Sequence, residues 1–551
     1  MSKFNLLEEP WISVYCEGQG QKLVSMKDVF SHAKDYSCLA GEMKTQDFAI
    51  LRLLEAVLQT VFSRCDAKGE KYPYLEVDEK MRQIQPVDED DREDYIDDLE
   101  KTWEDLWKAK RFPDILFQYL ETWKDRFFLY DNKYPFYQIT DEVLEKHKLT
   151  KASPSPFRAR TMNRTISESN NKISLFSPKD EKSKDELRED QIARWLIMLQ
   201  GYIGTSDKAK FEETDSSVTL SKGWLFDIGG LYLKGRNLFA TLMLNFLPCH
   251  SREEYQLSVQ KPCWEFTPEE NLEALIAQKP VDNLAQLYTN WDRAIQIEQD
   301  DNGHFKQLGI VKVPEISHVN QFLEPMTVWQ FNMSGPNKDH YTPKKHQPDQ
   351  AMWRSFGLIA MKSTTNQMQP EILNQYKERT SIIGDATASV CAVGMKDDGN
   401  ATSWVPVDET TDELDINDMV LRDDESSSGW VVRIDSTVKT TKDVVDKIYR
   451  DFLKDIAEIH RSDAPINTES FYAKLNLPFS HWLASIRVND SKEEKVKEWY
   501  AILKKLMLAE AEKIIDKADN RDFVGIEDKG VVKNIATEYQ TFCSRLKKLI
   551  G

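Results

Sequence analysis

Four apolar stripes near the end of the chain constrain its fold more than any other feature. Val445, Ile448, Phe452, Ile456 and Ile459 recur at intervals of three and four. So do Phe471, Leu475, Phe479, Trp482, Leu483 and Ile486. Val496, Trp499, Leu503, Met507, Ala511 and Ile514 follow, then Ile535, Tyr539, Phe542, Leu546 and Leu549. With about 3.6 residues per helical turn, each set falls on one helix face. Each face needs an apolar partner, and short polar links join the segments. The pattern predicts a C-terminal four-helix bundle over residues 426–551, with Pro478 bending the second helix.

The chain before that point reads differently. Phe48, Leu51, Leu54, Leu58, Val61 and Phe62 make one apolar stripe on a helix over 46–63, with Thr45 or Asp47 near its start. The acidic run 88–94 reads as a solvated helix start or loop. Residues 150–190 open with Ala152-Ser153-Pro154-Ser155-Pro156 and run polar through 179–184, which predicts long loops. Short apolar runs such as Trp224-Leu225-Phe226 alternate with turns, without a regular βαβ rhythm. Residues 1–425 are therefore expected to form a large mixed domain, and the whole chain an α+β protein. A length of 551 residues agrees with two or more domains.

Hydrophobic residues make up 40% of the chain and aromatic residues 11%, which excludes the profile of a disordered protein. No apolar run approaches bilayer length, and the N-terminal ten residues carry acids and Pro10 where a signal peptide needs an apolar stretch. A cytoplasmic protein with no membrane partner is expected. The seven cysteines (Cys16, Cys38, Cys65, Cys249, Cys263, Cys391 and Cys543) are scattered, with no Cys-x-x-Cys pair. That argues for reduced thiols and against a disulfide framework or a cysteine-rich zinc site.

Catalytic signatures are missing: no phosphate loop, no Gly-x-Ser-x-Gly elbow and no His-Glu-x-x-His. Gly223, Gly229, Gly230 and Gly235 lack dinucleotide spacing. No enzyme activity, catalytic residue, cofactor or metal is expected. Asp339, His340, His346 and Asp349 form one cluster that a cation could use. Pro336, Pro343 and Pro348 punctuate it, which favours a polar surface loop over a metal site or a hydrolase centre. Lys338, Lys344 and Lys345 in the same stretch suit either a phosphate-contacting loop or a solvated one.

The net charge of −19 argues against a free-standing DNA-binding protein, because phosphate contacts need a basic surface. Cations clustered locally, or binding as part of an assembly, would reconcile the two. One basic segment is Arg158-Ala159-Arg160-Thr161-Met162-Asn163-Arg164, followed closely by Asn170-Asn171-Lys172-Ile173-Ser174-Leu175-Phe176. Arginines position on phosphates, amides read base edges, and Leu175 and Phe176 would serve as wedges if exposed. A buried strand or loop anchor is the other reading.

Several stretches resemble the CasA family, the large subunit of the type I-E CRISPR Cascade complex. Asn5-Leu6-Leu7 before Trp11-Ile12-Ser13-Val14 is similar to that family's start. The helix over 48–61 follows at a matching place. Tyr134-Pro135-Phe136-Tyr137-Gln138 resembles a Pro-Phe-x-Gln segment, and the apolar run ending in Asn245-Phe246-Leu247-Pro248 resembles another. The resemblance covers nearly the whole chain. It implies a globular N-terminal domain with a C-terminal four-helix bundle and no catalytic role. It also implies recognition of the protospacer-adjacent motif in double-stranded target DNA, mainly through the minor groove, and unwinding for R-loop formation. The partners it implies are the CRISPR RNA, the other Cascade subunits and a helicase-nuclease.

Carried over by residue, the resemblance implies a wedge hairpin at Asn400-Ala401-Thr402, where an asparagine stands for the longer glutamine often found there. It implies a glycine loop at Gly201 and Gly204, backed by Lys208 and Lys210. A third DNA-binding loop would hold Asn171, Lys172, Leu175, Phe176 and Ser177. The lysine that the family places after a Phe-Leu pair has no counterpart, since Glu324-Pro325-Met326 follows Phe322-Leu323. Some members carry a zinc knuckle before that point; residues 288–304 hold no cysteine. A competing reading is an acidic interaction scaffold whose helical bundle docks a partner, with no direct DNA contact.

Overall fold

The computed structural model describes residues 4–166, 168, 177–205, 208–215, 222–361, 363, 366–384, 388–400, 405–423, 428–463, 465–528 and 530–551. By internal contacts the chain divides into two units. The first is Met1–Pro348, Thr364–Ala386 and Val390–Thr411; the second is Asp349–Ser363, Thr387–Ser389 and Asp412–Gly551. Helices and small sheets are mixed throughout, so the chain is α+β.

The helix Lys44–Phe62 is the centre of the first unit. The expected apolar stripe is present, but every residue from Thr45 to Phe62 is buried, including Arg52, Glu55 and Gln59. Buried polar side chains need partners; the Glu55 carboxylate has none among the described residues, and burial raises its pKa well above the usual carboxylate range, whereas Arg52 is paired. Arg52 Nη1 and Nη2 donate to Glu324 Oε1 and Oε2 at 2.8 Å each. Trp224 Nε1 donates to Glu324 Oε2 at 2.7 Å, and the Met326 N–H to Oε1 at 3.0 Å. Burial alone would lower the Arg52 pKa; the Glu324 carboxylate more than reverses this. Just past the helix end, Arg64 repeats the device with Glu265 at 2.7 and 3.1 Å, and Tyr119 Oη donates to Glu265 Oε1 at 2.7 Å.

The start of this helix is held from far along the chain. Its N-cap is Met43, which offers no side-chain bond. Glu409 takes over: its carboxylate accepts from the N–H of Lys44 at 3.1 Å, the N–H of Thr45 at 2.9 Å and Thr45 Oγ1 at 3.0 Å. A carboxylate placed there satisfies unpaired donors and sits at the positive end of the helix dipole. Glu409 lies on the strand Pro406–Ile416, which is acidic along most of its length. It is the edge of a three-stranded sheet with Ala388–Asp397 and Gly230–Lys234. Charge on an edge strand discourages further strand pairing. A second sheet sets Ser155–Phe157 and Arg293–Gln299 antiparallel to Phe305–Lys312 on either side.

In the second unit the four sequence stripes lie on helices. The run Trp430–Asp443, Val444–Tyr449 and Arg450–Ile459 is continuous, with a π-helical turn in the middle. Its first half was not legible, because Thr, Lys and Asp interrupt the apolar spacing there. Helices Glu469–Ser485, Lys492–Ile515 and Ile535–Ile550 follow. The second of the expected helices runs through Pro478. At the C-terminus Ile550 is buried and Leu549 is 44% exposed, one position off the expected stripe. Aromatic rings fill the interior: Trp353 stacks on Phe479 at 4.3 Å, Phe479 meets Trp499 edge-on at 4.8 Å, and Trp499 Nε1 donates to Thr441 Oγ1 at 2.9 Å.

All seven cysteines are free thiols. Among the described residues no helix is long and apolar enough to cross a membrane.

Glu324→Gln leaves the Arg52 charge buried without a counter-charge. It should lower unfolding free energy by about 3–5 kcal/mol in a urea titration. A loss below about 1 kcal/mol would mean that the pair contributes little beyond an ordinary hydrogen bond.

Candidate nucleic-acid interface

Strands Ala388–Asp397 and Pro406–Ile416 are neighbours joined by a tip at residues 398–405. Asp397 and Asp398 shape its near side. Asp397 Oδ1 accepts from the Gly399 N–H at 2.9 Å, and Asp398 Oδ1 accepts from the Asn400 N–H at 3.1 Å and the Val405 N–H at 3.3 Å. Gly399 has φ +71°, a left-handed conformation that favours glycine. Asn400 is exposed at this tip. Ala401 and Thr402 lie outside the described residues.

The base of the hairpin is braced by the segment 344–346. Lys345 Nζ reaches Asp397 Oδ2 at 3.0 Å and Asp227 Oδ1 at 3.4 Å, and lies 4.7 Å from the centre of the Phe226 ring. Lys222 also pairs with Asp227. Burial raises the Asp227 pKa, but the hydrogen bond and charge of Lys222, with the charge of Lys345, hold it below the usual carboxylate range. A Cβ on Gly229 would lie 2.2 Å from the Lys344 carbonyl oxygen, so the two backbones touch there. Lys345 is therefore a structural bridge rather than the phosphate-contacting or solvated side chain expected. His346 Nε2 donates to the Gly230 carbonyl at 2.9 Å, and Asn320 Nδ2 donates to His340 Nδ1 at 3.1 Å. Among the described residues no group of three or more His, Cys, Asp or Glu is placed to hold a metal ion.

The glycine loop is anchored by packing. Gly201 lies in the last turn of the helix Glu189–Tyr202, and a Cβ there would meet the Leu225 side chain at 2.6 Å. A Cβ on Gly223 would lie 2.4 Å from the Gly201 carbonyl oxygen. Gly204 is buried, and its carbonyl accepts from Arg293 Nη2 at 2.7 Å. These two glycines serve close approach within the protein. Beneath them lies Asp292, whose Oδ2 accepts from the Trp224 N–H at 2.8 Å. Burial pushes its carboxyl up to about 7.

Beyond the loop, Ser155 Oγ accepts from the Lys208 and Ala209 N–H groups at 3.0 Å each. The Thr150 N–H donates to the Lys210 carbonyl at 2.9 Å. This stitching sets Lys208 and Lys210 alongside Lys148 and Lys151. Lys148, Lys151 and Lys208 are exposed and Lys210 is half-buried, with no ion pair at any of the four among the described residues. Lys148 and Lys151 were missed in the sequence, although Lys148-Leu149-Thr150-Lys151 carries both ahead of the Ser-Pro loop. The hairpin tip and this lysine edge stand on different sheets.

The arginine segment is mostly engaged. Arg160 pairs with Asp185 and Glu181 at 2.7 Å each. Arg164 is buried, which lowers its guanidinium to about 10. Arg158 is exposed. Ser177 is half-buried, and its Oγ accepts from the Lys179 N–H at 3.2 Å. Asn171, Lys172, Leu175 and Phe176 lie outside the described residues. The expected family lysine is replaced by a core element, since Glu324 is the buried partner of Arg52.

A family model described as CRISPR-associated protein Cse1 matches residues 5–509. The chain belongs to the Cse1 family. A CasA/Cse1 protein of Thermus thermophilus is 24% identical over 365 residues, covering 65% of this chain and 60% of that relative's length. The crystal structure of Thermobifida fusca Cse1 shares the fold, with a TM-score of 0.77 and 20% identity over 99% of this chain and 98% of that one. A chain from a CRISPR RNA-guided surveillance complex aligns with a TM-score of 0.67 and 14% identity over 99% of both chains. The Cse1 fold thus extends over this chain at 14–20% sequence identity.

The raised Asp292 pKa has a sign. The folded state keeps this proton to about pH 7, while the unfolded chain releases it near pH 4, so its contribution to stability falls as pH rises between them. Asp292→Asn keeps an acceptor for Trp224 and should flatten that part of the stability–pH profile. An unchanged slope would show that Asp292 is ionised in the folded protein.

Proposed function

We propose that this chain is the non-catalytic large subunit of a type I-E CRISPR RNA-guided surveillance complex in the cytoplasm. The family match over residues 5–509 carries the proposal. On this reading the first 425 residues form the DNA-facing domain, and residues 426–551 form a four-helix bundle. The bundle region offers a docking surface to a helicase-nuclease. The guide RNA and the other Cascade subunits are the standing partners, and double-stranded target DNA is the ligand.

In this reading the hairpin tip at Asn400, Ala401 and Thr402 enters the minor groove beside the target. A short amide there reads only a coarse pattern, so several motifs are tolerated. Opening the first base steps costs roughly 1–2 kcal/mol of stacking each, which a wedge and phosphate contacts can offset before guide pairing takes over. The four lysines at 148, 151, 208 and 210 supply phosphate contacts. Asn171, Lys172, Leu175, Phe176 and Ser177 complete the DNA-binding set, with the Gly201–Gly204 turn behind the lysines. The support is local: an exposed tip on a braced hairpin, and unpaired cations in a chain of net charge −19. The same charge favours a second reading, an acidic scaffold without DNA contact.

Target binding by the reconstituted guide-RNA complex separates the two. With this chain present, binding should be tight only when the flanking motif is correct. Asn400→Ala should weaken binding by about tenfold, the order of one lost base contact. Equal binding with and without the chain, or with a scrambled motif, would leave the scaffold reading. Replacing Lys208 and Lys210 with Gln should reduce the salt slope of target binding by about 2. A slope that does not move would remove these lysines from the interface.

A further inference from the structure

The first unit has a second feature suited to an anion, built from elements other than the hairpin and the glycine loop. It is a cleft of about 700 Å³, within the roughly 300–1,000 Å³ of ordinary ligand sites. Four cations line it: Lys34, Lys108, Lys110 and Arg236. Asp35 is the one acid among its lining residues.

Local structure fixes these groups. Lys34 sits in the 3₁₀ turn Ala33–Asp35. The Leu238 N–H donates to the Tyr36 carbonyl at 2.8 Å, tying that turn to the start of the helix Leu238–Asn245. Arg236 lies just before this helix, and Asn237 caps it through the Ala240 N–H at 2.9 Å. Lys110 closes the helix Arg92–Ala109 in a left-handed conformation, φ +54°. The floor is Phe239, which packs on Phe112 at 5.2 Å, and Phe112 in turn meets Phe30 at 5.5 Å.

Charge makes this cleft unusual. Acids outnumber bases 92 to 73 in the chain, so most cations have a carboxylate to find. Lys108 does, on Glu104. Lys34, Lys110 and Arg236 are exposed and carry no ion pair or side-chain hydrogen bond among the described residues. Three unpaired cations around one concavity select an anionic ligand.

An aromatic column narrows the choice. The Arg379 guanidinium lies 4.5 Å from the centre of the Trp103 ring. Trp103 stacks on Trp107 at 5.5 Å, with their planes 7° apart. Trp103 is buried, while Trp107 is half-exposed and lines the cleft. The column therefore ends at the cleft, where another planar group can continue it. Negative charge repeated along a chain with planar faces to stack is the chemistry of a nucleic acid single strand. A duplex keeps its base faces covered, and an acidic peptide would satisfy the cations but leave Trp107 unused. We propose that this cleft binds a short single-stranded nucleic-acid segment, with phosphates on Lys34, Lys110 and Arg236 and one base on Trp107.

The test uses the full chain alone, without guide RNA or other subunits. Labelled oligothymidine and oligouridine of about ten nucleotides are titrated by anisotropy at several salt concentrations. Replacing Lys34, Lys110 and Arg236 together with Gln should lower the salt slope by about 2. Trp107→Ala should weaken binding by about tenfold, and Trp107→Tyr should restore most of it. The Gln variant changes only exposed side chains, so it stays informative if Trp107→Ala fails to fold. Preference for the thymidine or the uridine strand identifies DNA or RNA as the source. No binding, or binding untouched by both sets of changes, overturns the proposal. So does displacement by polyglutamate together with indifference to Trp107, which would assign the cleft to an acidic protein. Because motif-dependent duplex binding is read in the assembled complex, either proposal can fail while the other stands.

Discussion

The buried pair of Arg52 and Glu324 is the interaction on which most of the first unit depends. Two charges removed from water are tolerated only when nearly every lone pair and donor is used. Here both Glu324 oxygens take a guanidinium N–H, and they also bind the Trp224 indole and the Met326 backbone. Two distant stretches of sequence, around Trp224 and at 324–326, are thereby fixed to one helix. Trp224 opens the turn that packs against Gly201, so the placement of the glycine loop is inherited from the same carboxylate. The hairpin is fixed separately, by Glu409 at the helix start and by the Lys345 bridge at its base.

Periodicity was the most readable signal. The stripes at 445–459, 471–486, 496–514 and 535–549 fall on helices whose inner positions are buried, with Val496 and Ile514 half-buried and Leu549 exposed. Where the repeat is broken, the reading stopped short. Trp430–Asp443 carries polar residues at intervals that hide its buried face, and a π turn follows it. The central helix shows the opposite limit. Nothing local marks Arg52 as a core residue, because its partner Glu324 lies hundreds of residues away in sequence.

The candidate site residues divide the same way. Asn400 stands exposed on a hairpin tip and Lys208 on an exposed edge, where resemblance and local composition pointed. Lys345, Arg160 and Arg164 were indistinguishable from free cations in the sequence, since a cation's partner is a tertiary fact. Lys148 and Lys151 join Lys208 and Lys210 only through the tertiary pairing of 148–150 with 210–212. The Trp103–Trp107 stack could have been suspected from their four-residue spacing, but nothing in the sequence sets Arg236 or Lys34 near it.

The grip of Glu409 on the central helix has a mechanical side. The strand that carries this carboxylate begins at Pro406, with Pro406 and Glu409 about 10 Å apart at normal strand rise. A load on the near end of that strand is therefore carried along a short beam to the start of a helix buried on every side. The strand is thus rooted in the core, and strain along it is passed to the helix start rather than ending at the surface.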